Sequence, residues 1–376
     1  MISPTRDLHG WNYLKPLGLG YLKSYLRMEL PELDVDIYED IDSVIQSRPA
    51  CVGISAPTED FAVAQGYVKR VQEELGSPVL LGGVHISLLP QTLPGGAIAC
   101  IGEGEETLTE LMNLFLRGRV FDPAELSNVK GIAYWDENGN LVQTEPRGLI
   151  TPLDRLPLPD RDALGIEPGQ NDALHMLTSR GCPYNCKFCV SRVHWKKYRE
   201  FSADYVLHEI EELVSRYGVD TISIFDDLFI VNRKRLREIA DKFAKRHYHV
   251  GTSFAVRANL VDDELCELLK KLNVRGAMFG AESFSEPVLR ELKLGTVTVA
   301  QNQRALDTLH KHGIATIVSM IFDAPEETRE DMSTSWRAIF DNLRVGKICQ
   351  VSWGLLQPYP GSGYWDKAVE KGNLWN

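Results

Sequence analysis

The stretch SRGCPYNCKFCV, residues 179–190, sets Cys182, Cys186 and Cys189 at the spacing C-x3-C-x2-C. Gly181, Pro183 and Asn185 stand around them and mark a loop, not a core segment. A core or chance cluster of cysteines does not suit a loop with Pro, Asn and Lys between them, which leaves two readings as metal ligands. One reading is a structural zinc site, which needs four ligands in a closed tetrahedron, with His194 as the fourth. The second short-spaced ligand pair usual in such sites is absent from the sequence. The other reading is a [4Fe–4S] cluster on three cysteines, which leaves one iron without a protein ligand. A substrate or cofactor can chelate that open iron. The remaining cysteines, Cys51, Cys100, Cys266 and Cys349, lie among apolar neighbours and read as small core residues.

A reactive loop needs a frame that fixes it. Six strand-like runs cover 174–179, 221–226, 251–256, 275–280, 314–321 and 348–356. Helical periodicity falls between them, near 203–217, 233–247, 262–272, 298–312 and 328–343. Six βα units with right-handed crossovers predict a partial (β/α)6 barrel of the TIM type, two units short of the full eight. In such barrels the chemistry sits where strands end at their carboxyl side. The three-cysteine loop follows the first strand. Asp226 and Asp227 end the second, Arg257 the third and Glu282 the fourth.

Upstream, strand-like runs at 34–38, 51–55, 79–84 and 97–102 alternate with helical ones at 17–30, 61–75 and 105–118. This order predicts an N-terminal Rossmann-like, doubly wound parallel sheet, with an overall α/β class. Residues 2–4 read as the end of a first strand. Residues 131–145 read as a hairpin turning at Asn138-Gly139, followed by a proline-rich linker over the surface. The expected domains are 1–120, the hairpin and linker 121–172, and the barrel 173–376. Doubly wound sheets bind ligands beyond the carboxyl ends of their strands. Three such ends are Ser55-Ala56-Pro57-Thr58, Gly82-Gly83-Val84-His85 and Gly102-Glu103-Gly104-Glu105. Glycines there admit close approach, and hydroxyls hydrogen-bond a guest.

The chain of 376 residues is long enough for two cores, and its 44% apolar and 25% charged content is that of a soluble globular protein. A net charge of −11 argues against nucleic-acid binding. No run of eighteen apolar residues spans a membrane and no secretory signal opens the chain, so the expected location is cytoplasmic. Seven cysteines in such a chain make no disulfide framework.

CPYNCKFC resembles the C-x3-C-x-aromatic-C signature of the radical S-adenosylmethionine (SAM) enzymes. SIFDDLF, FAVRANLVD, GAESFSEPVL and LLQPYPGSGYW resemble further segments of that superfamily, in order and at fitting strand ends. The resemblance implies a [4Fe–4S] cluster on Cys182, Cys186 and Cys189 whose open iron binds SAM. Reductive cleavage then yields a 5′-deoxyadenosyl radical, with an external one-electron reductant of the flavodoxin or ferredoxin type. It also implies SAM contacts from Phe188, Asp226, Asp227, Arg257 and Glu282. One turn departs from the pattern: Asp323-Ala324-Pro325-Glu326-Glu327-Thr328 stands where relatives carry Gly-x-Pro-Gly-Glu-Thr. With both glycines replaced, the backbone must avoid positive φ or accept strain.

PLGLGYLKSYL, VGIS, LLGGVH and IGEGEETLTEL resemble the cobalamin-binding domain that precedes the barrel in one branch. That likeness implies cobalamin contacts from Ser55, Thr58, Gly82, Gly83, His85, Gly102, Glu103 and Gly104. Asp7-Leu8-His9 resembles the Asp-x-His of corrinoid proteins that ligate cobalt from below, but Asn12 stands where their glycine should be. His9 therefore reads as a solvated loop histidine. The implied function is that of a cobalamin-dependent radical SAM methyltransferase acting on an unactivated carbon. The alternative is another radical reaction on the same architecture, such as cyclisation, ring contraction or rearrangement. A non-catalytic corrinoid or iron–sulfur carrier ranks below both, since it needs no six-unit barrel. The substrate, a small molecule or a peptide, is expected between the domains. The chain ends about twenty residues after the sixth strand, leaving little room for a C-terminal substrate domain.

Overall fold

Short β-branched and apolar runs punctuated by Gly, Pro and Asp give strands, and the amphipathic stretches between them give helices that cover the strands' faces. The computed structural model describes residues 1–4, 15–169 and 172–372. It separates into two units, Met1–Glu167 and Pro168–Asn376.

In the first unit the order is α1 (Leu17–Glu29), α2 (Ile41–Ser47), β1 (Val52–Ser55), α3 (Phe61–Glu74), β2 (Val79–Gly82) and α4 (Val84–Leu88). β3 (Ala97–Cys100), α5 (Glu105–Gly118), α6 (Pro123–Leu126), β4 (Ile132–Trp135) and β5 (Leu141–Gln143) follow. The sheet runs β1-β2-β3-β4-β5, parallel through β3 and antiparallel beyond it. Alternate strand residues go to opposite layers. Val52, Ile54, Val79 and Leu81 pack with Phe61, Ala64, Val68 and Val71 of α3. Leu80, Ile98 and Cys100 pack with Leu26 of α1 and with Leu111 and Phe115 of α5. The doubly wound expectation holds, and the hairpin adds to this sheet by pairing β4 with β3.

Two local expectations differ. Among the described residues, 34–38 form no strand beyond a single bridge at Tyr38: Ile2 bridges both Tyr38 and Ile54 in parallel, and Tyr38 N–H donates to Met1 O at 2.9 Å. The proline-rich segment is not a bare surface linker: Leu153, Leu156 and Leu164 are buried, and Asp160 N–H donates to Gly20 of α1 at 3.1 Å.

The second unit contains β6 (Ala173–Met176), β7 (Ser179–Arg180), α7 (Ser191–Trp195), β8 (Arg199–Glu200), α8 (Ala203–Ser215), β9 (Thr221–Ile224), α9 (Arg233–Lys245) and β10 (Gly251–Val256). It continues with α10 (Asp263–Lys271), β11 (Val274–Glu282), α11 (Glu286–Lys293), α12 (Val299–Lys311), β12 (Thr316–Phe322), α13 (Arg329–Arg344), β13 (Gln350–Leu355) and α14 (Trp365–Glu370). Its main sheet is six-stranded and wholly parallel, in the order β13-β12-β11-β10-β9-β6. Sequential neighbours with helical crossovers make the expected partial barrel. Ser202, Asn232, Asp262, Thr298 and Thr328 cap the helices that follow them, each accepting a backbone N–H. Cys100 and Cys266 are buried as expected and Cys51 is half-buried, whereas Cys349 is exposed. Among the described residues no helix is long and apolar enough to cross a membrane.

Candidate functional site: a three-cysteine loop at the barrel's strand ends

The loop leaves β7 through Gly181, whose φ is +91°. A Cβ there would meet the Lys197 carbonyl oxygen at 2.8 Å and the Trp195 Cβ at 3.0 Å, so only glycine fits. The two aspartates just past the end of β9 hold this entrance. Asp226 is buried and accepts from Thr178 N–H at 2.5 Å, Thr178 Oγ1 at 2.6 Å and Ser179 Oγ at 2.7 Å. Burial raises its carboxyl above the usual range, against the lowering effect of those donors. Asp227 accepts from Ser191 Oγ at 2.8 Å and from the Gly181 N–H, and burial raises its carboxyl too. Both carboxylates thus brace the two ends of the cysteine loop. Neither is a helix cap, a role that Asn232 takes.

The middle of the loop is clamped from below. Lys187 N–H donates to Leu292 O of α11 at 2.9 Å, and Gly363 N–H donates to Lys187 O at 2.8 Å. Phe188 packs with Val288, Leu292, Ala324 and Tyr364, and the Lys293 ammonium lies 5.5 Å from its ring centroid. Lys293 donates to Glu282 at 2.8 Å, and both side chains are nearly inaccessible. Glu282 sits at φ +60° where the β11–β12 register shifts. Its carboxylate folds back over Gly280, whose Cβ would lie 2.5 Å from Glu282 Oε1.

Arg257, just past β10, is 6% exposed. Its Nη1 donates to Cys186 Sγ at 3.2 Å, Nη2 to Thr296 Oγ1 at 2.6 Å and Nε to Asn259 Oδ1 at 3.0 Å. The guanidinium centre lies 3.8 Å from the Tyr184 ring centroid, and Asn259 Nδ2 donates to the Tyr184 hydroxyl at 3.2 Å.

The donor set fits an iron–sulfur cluster. Backbone N–H groups reach two of the sulfurs, from Ser191 to Cys189 at 3.4 Å and from Tyr184 to Cys182, and Arg257 reaches the third. Hydrogen bonds to the sulfurs are a recognised control on cluster potential. Burial pushes the Cys189 thiol up to about 11 and raises Cys182, so these thiolates need a cation beside them. Among the described residues, no three His, Cys, Asp or Glu side chains are placed to hold a single metal ion. His194 instead meets Trp195 edge-on, with ring centroids 4.7 Å apart.

The departing turn after β12 keeps its strained backbone. Asp323 has φ +62° and Glu326 φ +69°, so both former glycine positions stay left-handed.

In the first unit the three predicted strand ends come together. Ala56 N–H donates to Gly82 O at 3.0 Å, and Gly102 N–H donates to Ser87 Oγ at 3.0 Å. Gly83 has φ +102°, and its Cβ would lie 2.4 Å from Ala56 O. Ser55 N–H is taken by Ile2 O, Thr58 O accepts from Phe61 N–H, and Glu103 accepts from Ile150 N–H at 2.9 Å. Gly104 is the N-cap of α5, and a Cβ there would lie 3.1 Å from Leu22. His85 is buried and stacked on Phe61, with centroids 3.8 Å apart, and among the described residues neither ring nitrogen has a hydrogen-bond partner. Burial lowers its pKa to about 4. Glycine-lined strand ends beside a neutral, unpartnered imidazole fit the close approach of a large polar cofactor. His9 lies outside the described residues.

Residues 176–335 match the radical SAM superfamily, and residues 12–112 match the B12 binding domain. An uncharacterized methyltransferase of Pyrococcus horikoshii is 30% identical over 94% of this chain and 78% of its own length. The chain belongs to the radical SAM superfamily. It is an enzyme of the branch with an N-terminal B12-binding domain, and its cofactors are a [4Fe–4S] cluster, SAM and cobalamin. The anaerobic magnesium-protoporphyrin IX monomethyl ester cyclase of Rubrivivax gelatinosus is 27% identical, over 95% of this chain and 66% of its own. Among solved structures, the cobalamin-dependent SAM radical enzyme OxsB superposes with a TM-score of 0.79 at 20% identity, covering 99% of this chain and 60% of that one. The radical SAM methyltransferase TsrM of Kitasatospora setae gives 0.78 at 18% identity, covering 98% of this chain and 75% of that one. At those identities the likeness speaks for the fold.

Several residues at the site carry no signal that sequence reasoning used. Tyr184 lies inside CPYNC but reads as a spacer, and Asn259, Thr296 and Lys293 reach the loop from separate segments. Lys293 follows Glu282 at a distance set by α11, a helix of only eight residues, too short for its periodicity to stand out in the sequence.

Proposed function

We propose that the enzyme transfers a methyl group from methylcobalamin to an unactivated carbon of a small molecule or peptide. The observation that carries this reading is the presence of both cofactor domains in one chain, together with the 30% identical methyltransferase relative. When bound, the cluster and SAM supply the 5′-deoxyadenosyl radical, and the corrin supplies the methyl group.

The chain's own residues bind, orient and shield. Cys182, Cys186 and Cys189 would each hold one iron of the cluster. Phe188 covers the loop's inner side with apolar surface and keeps water from it. Asp226 and Asp227 fix the loop's two ends, so their contribution to SAM binding is to place the open iron. Three of Arg257's five N–H groups are committed, and the two that remain can meet the SAM carboxylate. Glu282, neutralised by Lys293, offers an oxygen to the SAM ammonium. In the first unit Gly82, Gly83, Gly102 and Gly104 admit the corrin or its tail, Ser55 and Thr58 offer hydroxyls, His85 an unprotonated nitrogen and Glu103 a carboxylate. The electron comes from an external reductant of the flavodoxin or ferredoxin type, in the cytoplasm.

Similarity to the cyclase supports a second reading, ring closure by the same radical. Anaerobic incubation of the cobalamin-loaded chain with methyl-labelled SAM and a reductant separates the two. Methyl transfer predicts S-adenosylhomocysteine and label retained on the protein-bound corrin. Formation of 5′-deoxyadenosine alone, lost in Cys186→Ala, favours ring closure.

A further inference from the structure

Arg257 is a buried cation without an anion. Among the described residues no carboxylate lies within ion-pair distance of it; its partners are an amide oxygen, a hydroxyl, an aromatic face and a thiol sulfur. Burying an uncompensated guanidinium is strongly unfavourable, so a site that does so is built for an anion that arrives later. Lys293, another buried cation beside the loop, is already neutralised by Glu282.

The nearest atom able to become anionic is Cys186 Sγ, 3.2 Å from Nη1. Iron binding makes that sulfur a thiolate. A cluster held by three thiolates carries net negative charge, and each added electron increases it. A fixed positive charge at the sulfur therefore favours the reduced form. Tyr184, between two ligand cysteines, covers the guanidinium face and fixes Asn259, which in turn orients Nε. Thr296 closes the other side, its own hydroxyl donating to Lys293 O at 2.5 Å.

We infer that Arg257, clamped by Tyr184, Asn259 and Thr296, is a positioning and charge residue of the cluster itself. It raises the midpoint potential of the Cys186-bound cluster before SAM arrives. Its contact with the SAM carboxylate is then a second use of the same side chain. This inference rests on the cluster and not on methyl transfer. Iron and sulfide content, measured on each sample, separates failure of the cluster reading from failure of the inference.

The test is a redox titration of the reconstituted chain without SAM, followed by electron paramagnetic resonance. Arg257→Gln is expected to lower the reduced-to-oxidised ratio at fixed potential about tenfold, a midpoint about 59 mV more negative for one electron. Arg257→Lys, which keeps the charge, recovers most of that loss. An unchanged SAM-free midpoint in a fully loaded Arg257→Gln, with SAM affinity alone reduced, overturns the inference. So does Arg257→Lys behaving like Arg257→Gln, since geometry and not charge would then be the cause. If Arg257→Gln does not load iron, Tyr184→Leu is read instead. It keeps the charge but frees the guanidinium, and a midpoint equal to wild type overturns the inference equally.

Discussion

The Glu282–Lys293 pair under the cysteine loop makes a quantitative prediction. The ammonium and carboxylate are 2.8 Å apart, with side-chain exposures of 6% and 9%. At an effective dielectric constant near 20 their attraction is about 6 kcal/mol, most of it offset by the desolvation of two ions. Lys293→Met removes the attraction but leaves the desolvated carboxylate, still bent over Gly280. The expected loss is about 3–5 kcal/mol. For a unit of this size that lowers the thermal midpoint on the order of 10 °C. Glu282→Gln in the same chain removes the stranded charge, and the double variant recovers most of the loss. Urea unfolding of the anaerobic apoprotein, followed by circular dichroism for wild type, both singles and the double, measures the cycle. A Lys293→Met loss below about 1 kcal/mol, or a double variant no more stable than that single, refutes a buried compensated pair.

Replacing Glu326 by glycine relieves a left-handed side chain whose penalty is roughly 1–2 kcal/mol, against roughly 0.5–1 kcal/mol of added unfolded-state entropy. The net gain expected is about 0.5–1 kcal/mol, less for Asp323→Gly because aspartate tolerates this conformation; a thermal midpoint that does not rise argues against strain there. His85, with Glu59 as its charged neighbour, has its pKa lowered to about 4 by burial. Protons therefore bind the unfolded chain first, and stability of the first unit falls as pH drops from about 6.5 to about 4, by up to ~3 kcal/mol. In His85→Phe that slope is absent, and its persistence in urea titrations across this range would contradict the assignment. Gly83→Ala forces a Cβ into Ala56 O and should cost about 2 kcal/mol or more along with corrin retention, read from bound absorbance after desalting. Normal retention would show that the glycine is dispensable.

The frame was legible because periodicity and strand-end chemistry act locally. β10 runs over the predicted residues, and Cys182, Cys186 and Cys189 lie on the first strand's exit, where a barrel places its chemistry. What was not legible came from distant pairing. Residues 34–38 have strand composition, but among the described residues their ladder pairing is a single bridge from Tyr38 to Ile2, so composition could not make a strand. Asp226 looked like a ligand-facing carboxylate, yet Thr178 and Ser179 supply three donors from the previous strand's exit. Arg257 reads in the sequence as a SAM contact at a strand end, and its burial beside Tyr184 depends on three segments meeting, the cysteine loop, residues 257–259 and residues 293–296. The turn after β12 posed a choice between relaxed and strained backbone, and the positive φ of Asp323 and Glu326 gives the strained answer.

The central claim is that three sulfurs hold a cubane with one iron open to SAM. It is tested most directly by metal and sulfide analysis of the anaerobically purified chain, with resonance spectra of the reduced protein before and after SAM. The expected result is iron and acid-labile sulfide near four each per chain, with a spectrum that shifts when SAM is added. Stoichiometric zinc without sulfide, or a cluster whose spectrum ignores SAM, would contradict it.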